Sequence, residues 1–224
     1  MQGRFQHGIG TVPEDRPVPH CEGWTVRDLV EHLAEVHHWA AAMARNRDET
    51  PLHAHPSDLA GRYAECAAEL RATLASLPPD APARTLDGPG RVSFWHRRQV
   101  HETLVHLHDL LGRVDDVPTE VWTDAVDEVV TVLLPRQMRL GRSPAPTEAV
   151  RLIATDAGSR WLLGTGPAAA EIRGTGQELT LLIWGRMDLE GASVTGDVGV
   201  GATNSRLGAD AVRMFTCDSL RFHC

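Results

Sequence analysis

The stretch RRQVHETLVHLHD, Arg97 to Asp109, sets three histidines, a glutamate and an aspartate within thirteen residues. Imidazoles and carboxylates at this density serve either as ligands of a metal ion or as polar groups on the solvated face of a helix. Residues four apart on an α-helix lie one above the other, so Glu102 and His106 share a face, with Arg98 one turn before and Asp109 nearly one turn after. His101 and His108 fall on a neighbouring stripe and need a second element to join that pair. The metalloprotease pattern HExxH is absent, because Val105 stands four residues after His101. Glu102 and His106 therefore offer two ligands, and a third must come from another helix.

His32 is the candidate for that third ligand. It lies one turn after Asp28 and beside the apolar stripe Leu29, Leu33 and Val36, which directs its ring to the edge of a bundle. His37 and His38 compete for the role, His37 falling roughly opposite the Asp28/His32 row and His38 toward solvent. Two imidazoles and one carboxylate from facing helices make an open site, with water or substrate in the fourth position of a tetrahedral Zn²⁺. Two imidazoles also favour zinc over magnesium. Asp109 or Arg98 would then stand behind the ligands and orient them. His7, His20, His53, His55, His96 and His223 read as exposed groups.

The elements that must position these residues are mostly helical. The run GWTVRDLVEHLAEVHHWAAAMAR opens with Thr25 as N-cap and Asp28 in the first turn. Further helices are expected over about Pro56 to Leu77, Val92 to Gly112 and Thr119 to Leu134, while residues 1–16 lack helical periodicity. After GRSPAPTE the pattern changes. AVRLIATDAGSRWLLGTG reads as two strands around a turn, AAEIRG as a short strand, GTGQELTLLIWGRM as a helix capped at Thr175, and SVTGD as one more strand. The expected fold is α+β, with a helical domain over 1–143 that lacks its first helix and a small α+β domain over 144–224.

Composition removes several functions. The formal net charge is −8, and no basic stripe is present to meet nucleic-acid phosphates. No apolar run approaches the length of about 20 residues that spans a bilayer. MQGRFQHGIGTVPEDR has no apolar core of a signal peptide, so the cytoplasm is the expected location. All 22 basic residues are Arg, which suits a GC-rich, actinobacterial genome. Cys21, Cys66, Cys217 and Cys224 form no CxxC pair, which argues against a disulfide scaffold or a cysteine-based zinc site.

The runs CEGWTVRDLVEHLAEVHHWA and RRQVHETLVHLHDLLG, followed by EIRGTGQELTLLIWGRMDLEGASVTGD, resemble the mycothiol-dependent maleylpyruvate isomerase family, a branch of the DinB-like thiol-transferase superfamily. The resemblance covers roughly residues 17–198, and the tail that follows is unmatched. It implies a divalent metal, usually zinc, held by the histidine of W-x-V-x-D-L-x-x-H and by the Glu and His of H-E-x-x-x-H. Here these are His32, Glu102 and His106, the three that spacing selects. It further implies mycothiol as cofactor and a small-molecule substrate. Metal binding would replace the proton on the thiol, whose sulfur adds to the cis double bond of the substrate. Rotation and elimination then give the trans isomer. Substrate carboxylates need cations, and Arg186 in LLIWGR, with Arg98 second, is the candidate the resemblance suggests, the alternative for Arg186 being a surface residue at a helix C-terminus. The helical and α+β parts are expected to hold the site between them. A mycothiol S-transferase acting in detoxification and a non-catalytic metal- or ligand-binding module are the competing readings.

Overall fold

A computed structural model of the chain describes residues 1–52, 58–146, 148–188 and 195–196. The chain divides into two compact units, one covering Met1–Val114 and one beginning at Asp115.

The first unit is built on helices α1 (Gln2–Ile9), α2 (Val26–Ala44) and α3 (Leu59–Ser76), a hairpin of β1 (Pro82–Thr85) and β2 (Gly88–Arg91), and helix α4 (Val92–Leu111). Helix α2 starts where the sequence says it should. The Thr25 hydroxyl accepts from the Asp28 backbone N–H and the Asp28 carboxylate accepts from the Thr25 N–H, a reciprocal cap. Helix α4 ends at Gly112, whose φ of +74° gives the left-handed residue that closes many helices. Between Arg98 and Leu107 every residue of α4 except Val100 is buried, so α4 is the central helix of this unit. Its Trp95, Leu104 and Leu107 are fully buried, as are Leu29 and Leu33 of α2 and Leu70 of α3.

Two features of this unit depart from the sequence reading. The N-terminal residues, read as lacking a helix, form α1, and its Phe5 is fully buried against Tyr63 with ring centroids 4.8 Å apart. Gly3 and Gly8 lower its helix propensity, but Gly8 sits where a Cβ would come within 2.9 Å of a Leu110 methyl. The glycine that weakens the local signal lets α1 lie close on α4. The second departure is the β1–β2 hairpin, hidden in a Pro-rich stretch that reads only as a helix stop. It is fastened to α4 by the Trp95 indole N–H, which donates to the Arg84 carbonyl at 2.7 Å.

The second unit contains α5 (Thr119–Glu128), a π-helical turn over Val129–Leu133, α6 (Leu134–Arg139), strands β3 (Ala149–Ala154), β4 (Arg160–Leu163) and β5 (Ala168–Gly174), helix α7 (Gly176–Ile183) and the short β6 (Thr195–Gly196). The sheet runs β4-β3-β5-β6, with β3 parallel to β5 and the outer pairings antiparallel. The fold is α+β. Helix α7 opens with a second reciprocal cap, between Thr175 and Glu178. The π turn lies just before Pro135, which lacks an N–H and crowds the carbonyl four residues back; a loosened ladder carries the helix past it.

Helix α5 belongs with this second unit, not with the helices before it, so the division falls at Val114/Asp115 instead of near residue 143. The reason lies in its partners. Thr180 on α7 donates to the Trp122 carbonyl at 2.8 Å, Gly176 lies against Thr123, and the Trp161 indole donates to Asp127 at 3.2 Å. An amphipathic helix shows in its sequence that it has an apolar face, but not which neighbour covers it.

Candidate metal centre

The capping box fixes the first residue of α2 at Val26, which puts His32 at its seventh position, facing α4. On α4, Glu102 and His106 follow each other by one turn. One ligating atom from each of the three lies within 4.8 Å of the other two, the one such group of His, Cys, Asp or Glu among the described residues. His32 Nε2 is 3.6 Å and His106 Nε2 is 3.3 Å from the same oxygen, Glu102 Oε1. The two imidazoles stand edge to face with centroids 5.3 Å apart, and the Trp24 ring meets His32 edge-on at 4.9 Å. Glu102 and His106 are 1% exposed, which removes the solvated-helix-face reading; His32, at 15%, is the most exposed of the three.

The surroundings orient these groups. Asp109 Oδ2 lies 2.9 Å from His106 Nδ1, so that nitrogen carries the proton and Nε2 turns its lone pair inward. Glu102 Oε2 accepts from the Arg98 guanidinium one turn earlier. Burial works to raise the Glu102 carboxyl, but Arg98, with His106 and His32, holds it well below the usual carboxylate range. Burial likewise works to lower His106, and the bond to Asp109 together with the nearby Glu102 carboxylate reverses the direction. His32 is lowered, since burial there outweighs the pull of Glu102.

A cation fits this arrangement. Glu102 Oε1 and His106 Nε2 are buried and have no hydrogen-bond partner. At 3.3 Å the two atoms repel unless a positive charge lies between them, a proton on Nε2 or, in its place, a metal ion. Two nitrogens and one oxygen are a donor set that suits zinc.

The competing histidines have other partners. His37 is fully buried, with Nδ1 2.7 Å from Gln99 Oε1 and Nε2 3.4 Å from both the Tyr63 hydroxyl and Gln2 Nε2. Burial pushes it down to about 4. His38, read as solvent-facing, instead binds Glu69 Oε2 through Nδ1 at 2.6 Å and the Thr50 carbonyl through Nε2 at 2.8 Å. His53, His55, His223, Cys217 and Cys224 lie outside the described residues, as does the tail after Gly196. Cys66 is a buried free cysteine whose thiol burial pushes up to about 11, so it is no thiolate at neutral pH. In the second unit Arg186 is 4% exposed, which excludes the surface reading for it; it follows Gly185 at the end of α7 and donates to the Trp184 carbonyl at 2.6 Å. Sequence spacing does not single out Trp24, Gln99 or Tyr63. The position of Trp24 immediately before the Thr25 cap is the one available signal, since the other two come together only in the fold.

Residues 9–111 match the family described as the mycothiol maleylpyruvate isomerase N-terminal domain, and residues 120–203 match the corresponding C-terminal domain family. Two solved structures share the fold: a mycothiol-dependent maleylpyruvate isomerase, with TM-score 0.68, and a histidine-to-alanine mutant, with TM-score 0.67. Each is 18% identical to this chain, with 88% of this chain and 89% of the other covered. No curated protein matches the sequence. The chain is thus a two-domain α+β protein with a buried His-Glu-His cluster. It belongs to the mycothiol-dependent maleylpyruvate isomerase family. Among the described residues no helix is long and apolar enough to cross a membrane.

Proposed function

We propose that this protein is a metal-dependent enzyme that uses mycothiol in the cis–trans isomerisation of a small, carboxylate-bearing electrophile. The observation that carries the reading is the pair of buried, unpartnered atoms, Glu102 Oε1 and His106 Nε2, converging with His32 on one point. A divalent cation held there, zinc by the donor set, supplies a Lewis acid that favours the thiolate form of a thiol at neutral pH. The protein's residues do the rest. Asp109 keeps the proton on His106 Nδ1, Arg98 keeps Glu102 ionised, and Trp24 packs edge-on against the His32 ring. Arg98, the second candidate for the substrate carboxylate, is committed to Glu102. Arg186 is therefore the cation proposed for the substrate, a role that suits its fixed charge and planar pair of donors.

The thiol comes from outside the chain in this reading, because Cys66 is held protonated in the core, Cys21 beside Asp109 is disulfide-bonded, and the triad contains no cysteine. The test is to incubate zinc-loaded protein with maleylpyruvate and with a simple electrophile, with and without mycothiol. Thiol-dependent isomerisation of maleylpyruvate is expected, falling about 100-fold or more in kcat/KM for Arg186→Met if the loss is that of a charge-assisted contact worth about 3 kcal/mol. Turnover of the electrophile alone would make the protein an S-transferase. Zinc retention with no thiol-dependent turnover would make it a binding module, and turnover without thiol that survives Cys→Ser replacement would remove the thiol enzyme altogether.

A further inference from the structure

The two oxygens of the Glu102 carboxylate have different neighbours. Oε2 accepts from Arg98 Nη2, one turn earlier on the same helix. Oε1 faces His32 Nε2 at 3.6 Å and His106 Nε2 at 3.3 Å and accepts no hydrogen bond. Both members of the Arg98–Glu102 pair are 1% exposed, so solvent does not compete for either oxygen.

We propose that Arg98 is a positioning residue that restricts Glu102 to a single metal–oxygen bond, by occupying Oε2 and leaving only Oε1 to the cation. This rests on the reading of His32, Glu102 and His106 as a metal centre. A carboxylate can hold a cation through one oxygen or through both, and the choice sets how many positions remain open. With one oxygen and two imidazoles the protein contributes three ligands, and a tetrahedral ion keeps its fourth position for a sulfur or a water. With both oxygens the shell gains a ligand and moves toward the oxygen-rich, higher-coordinate sites that suit manganese or magnesium. A guanidinium is suited to this task because it does not lose its charge at any working pH. If its charge is removed, Oε2 becomes a buried anionic oxygen without a partner, and the nearest cation left to it is the metal. A purely structural ion pair would stabilise the helix without altering the ligand count, and this is where the two roles differ.

X-ray absorption on the zinc-loaded wild type, Arg98→Met and Arg98→Lys tests the proposal, with visible absorption of the cobalt-substituted proteins as a second measure of coordination number. The wild type is expected to show four ligands at about 2.0–2.1 Å and the intense cobalt bands of a tetrahedral site. Arg98→Met is expected to gain an oxygen ligand, to lose cobalt band intensity and to bind zinc about 10–100-fold more weakly. Arg98→Lys, which keeps a cation beside Oε2, is expected to retain four ligands. Both carboxylate oxygens on zinc in the wild type would overturn the proposal, and that measurement needs no variant to fold. An unchanged ligand shell in Arg98→Met would overturn it whatever the affinity. Wild-type protein that takes up no stoichiometric metal would instead overturn the metal centre itself, and this inference with it.

Discussion

His32, His37 and His38 stand within seven residues of one helix and meet three different environments: a carboxylate and an imidazole, a buried amide, and a surface glutamate. Burial opposes the protonation of both His32 and His37, and of His37 most strongly. Its folded pKa, about 4, lies below the ordinary 6.5, so below about pH 6.5 the unfolded chain takes up a proton that the folded chain refuses. Its contribution to stability is fully present above the unfolded value and is lost as pH falls toward 4, a change of about 3 kcal/mol for a shift of this size. Urea denaturation of the wild type and of His37→Gln across that range is expected to show the wild type losing stability more steeply with acidification. Parallel slopes would mean that His37 is not held neutral. Spacing alone singles out Glu102 and His106, and helix direction adds His32, because their geometry is local to two helices. The roles of His37 and His38 depend on Gln99, Tyr63 and Glu69, which reach them from other helices, and no periodicity in α2 encodes those partners.

Elements place these residues, and the start of α2 is the most consequential of their boundaries. Thr25→Ala removes the hydroxyl that accepts from the Asp28 N–H and is expected to cost about 1 kcal/mol, measured as a shift in urea midpoint at constant slope. The same change loosens the turn that precedes His32, so metal affinity should fall along with stability; affinity that stays at the wild-type value would show that the cap does not position the ligand. Cap and stop signals are strong and local, which is why α2, α4 and α7 are legible in the sequence almost to the residue. The elements that are not legible lack such signals. Helix α1 carries two glycines, one of which serves a close approach to Leu110, and the β1–β2 hairpin is too short and too rich in Pro and Gly to show alternation. The start and cap chemistry of α5 gives no hint that Trp122 and Thr123 are met by α7.

For the whole molecule, the acidic balance argues against nucleic acid as a partner, and the α+β class follows from the change of pattern along the chain. The family matches over residues 9–111 and 120–203 place the chain in its family, while the triad's geometry supports the metal centre proposed for it. Elemental analysis of purified, dialysed protein measures this claim most directly. The account predicts about one zinc per chain in the wild type and almost none in His106→Ala, whose far-ultraviolet circular dichroism should remain that of the folded protein. Stoichiometric zinc that persists in the folded His106→Ala variant, or wild-type protein that reconstitutes with no divalent metal, would contradict it.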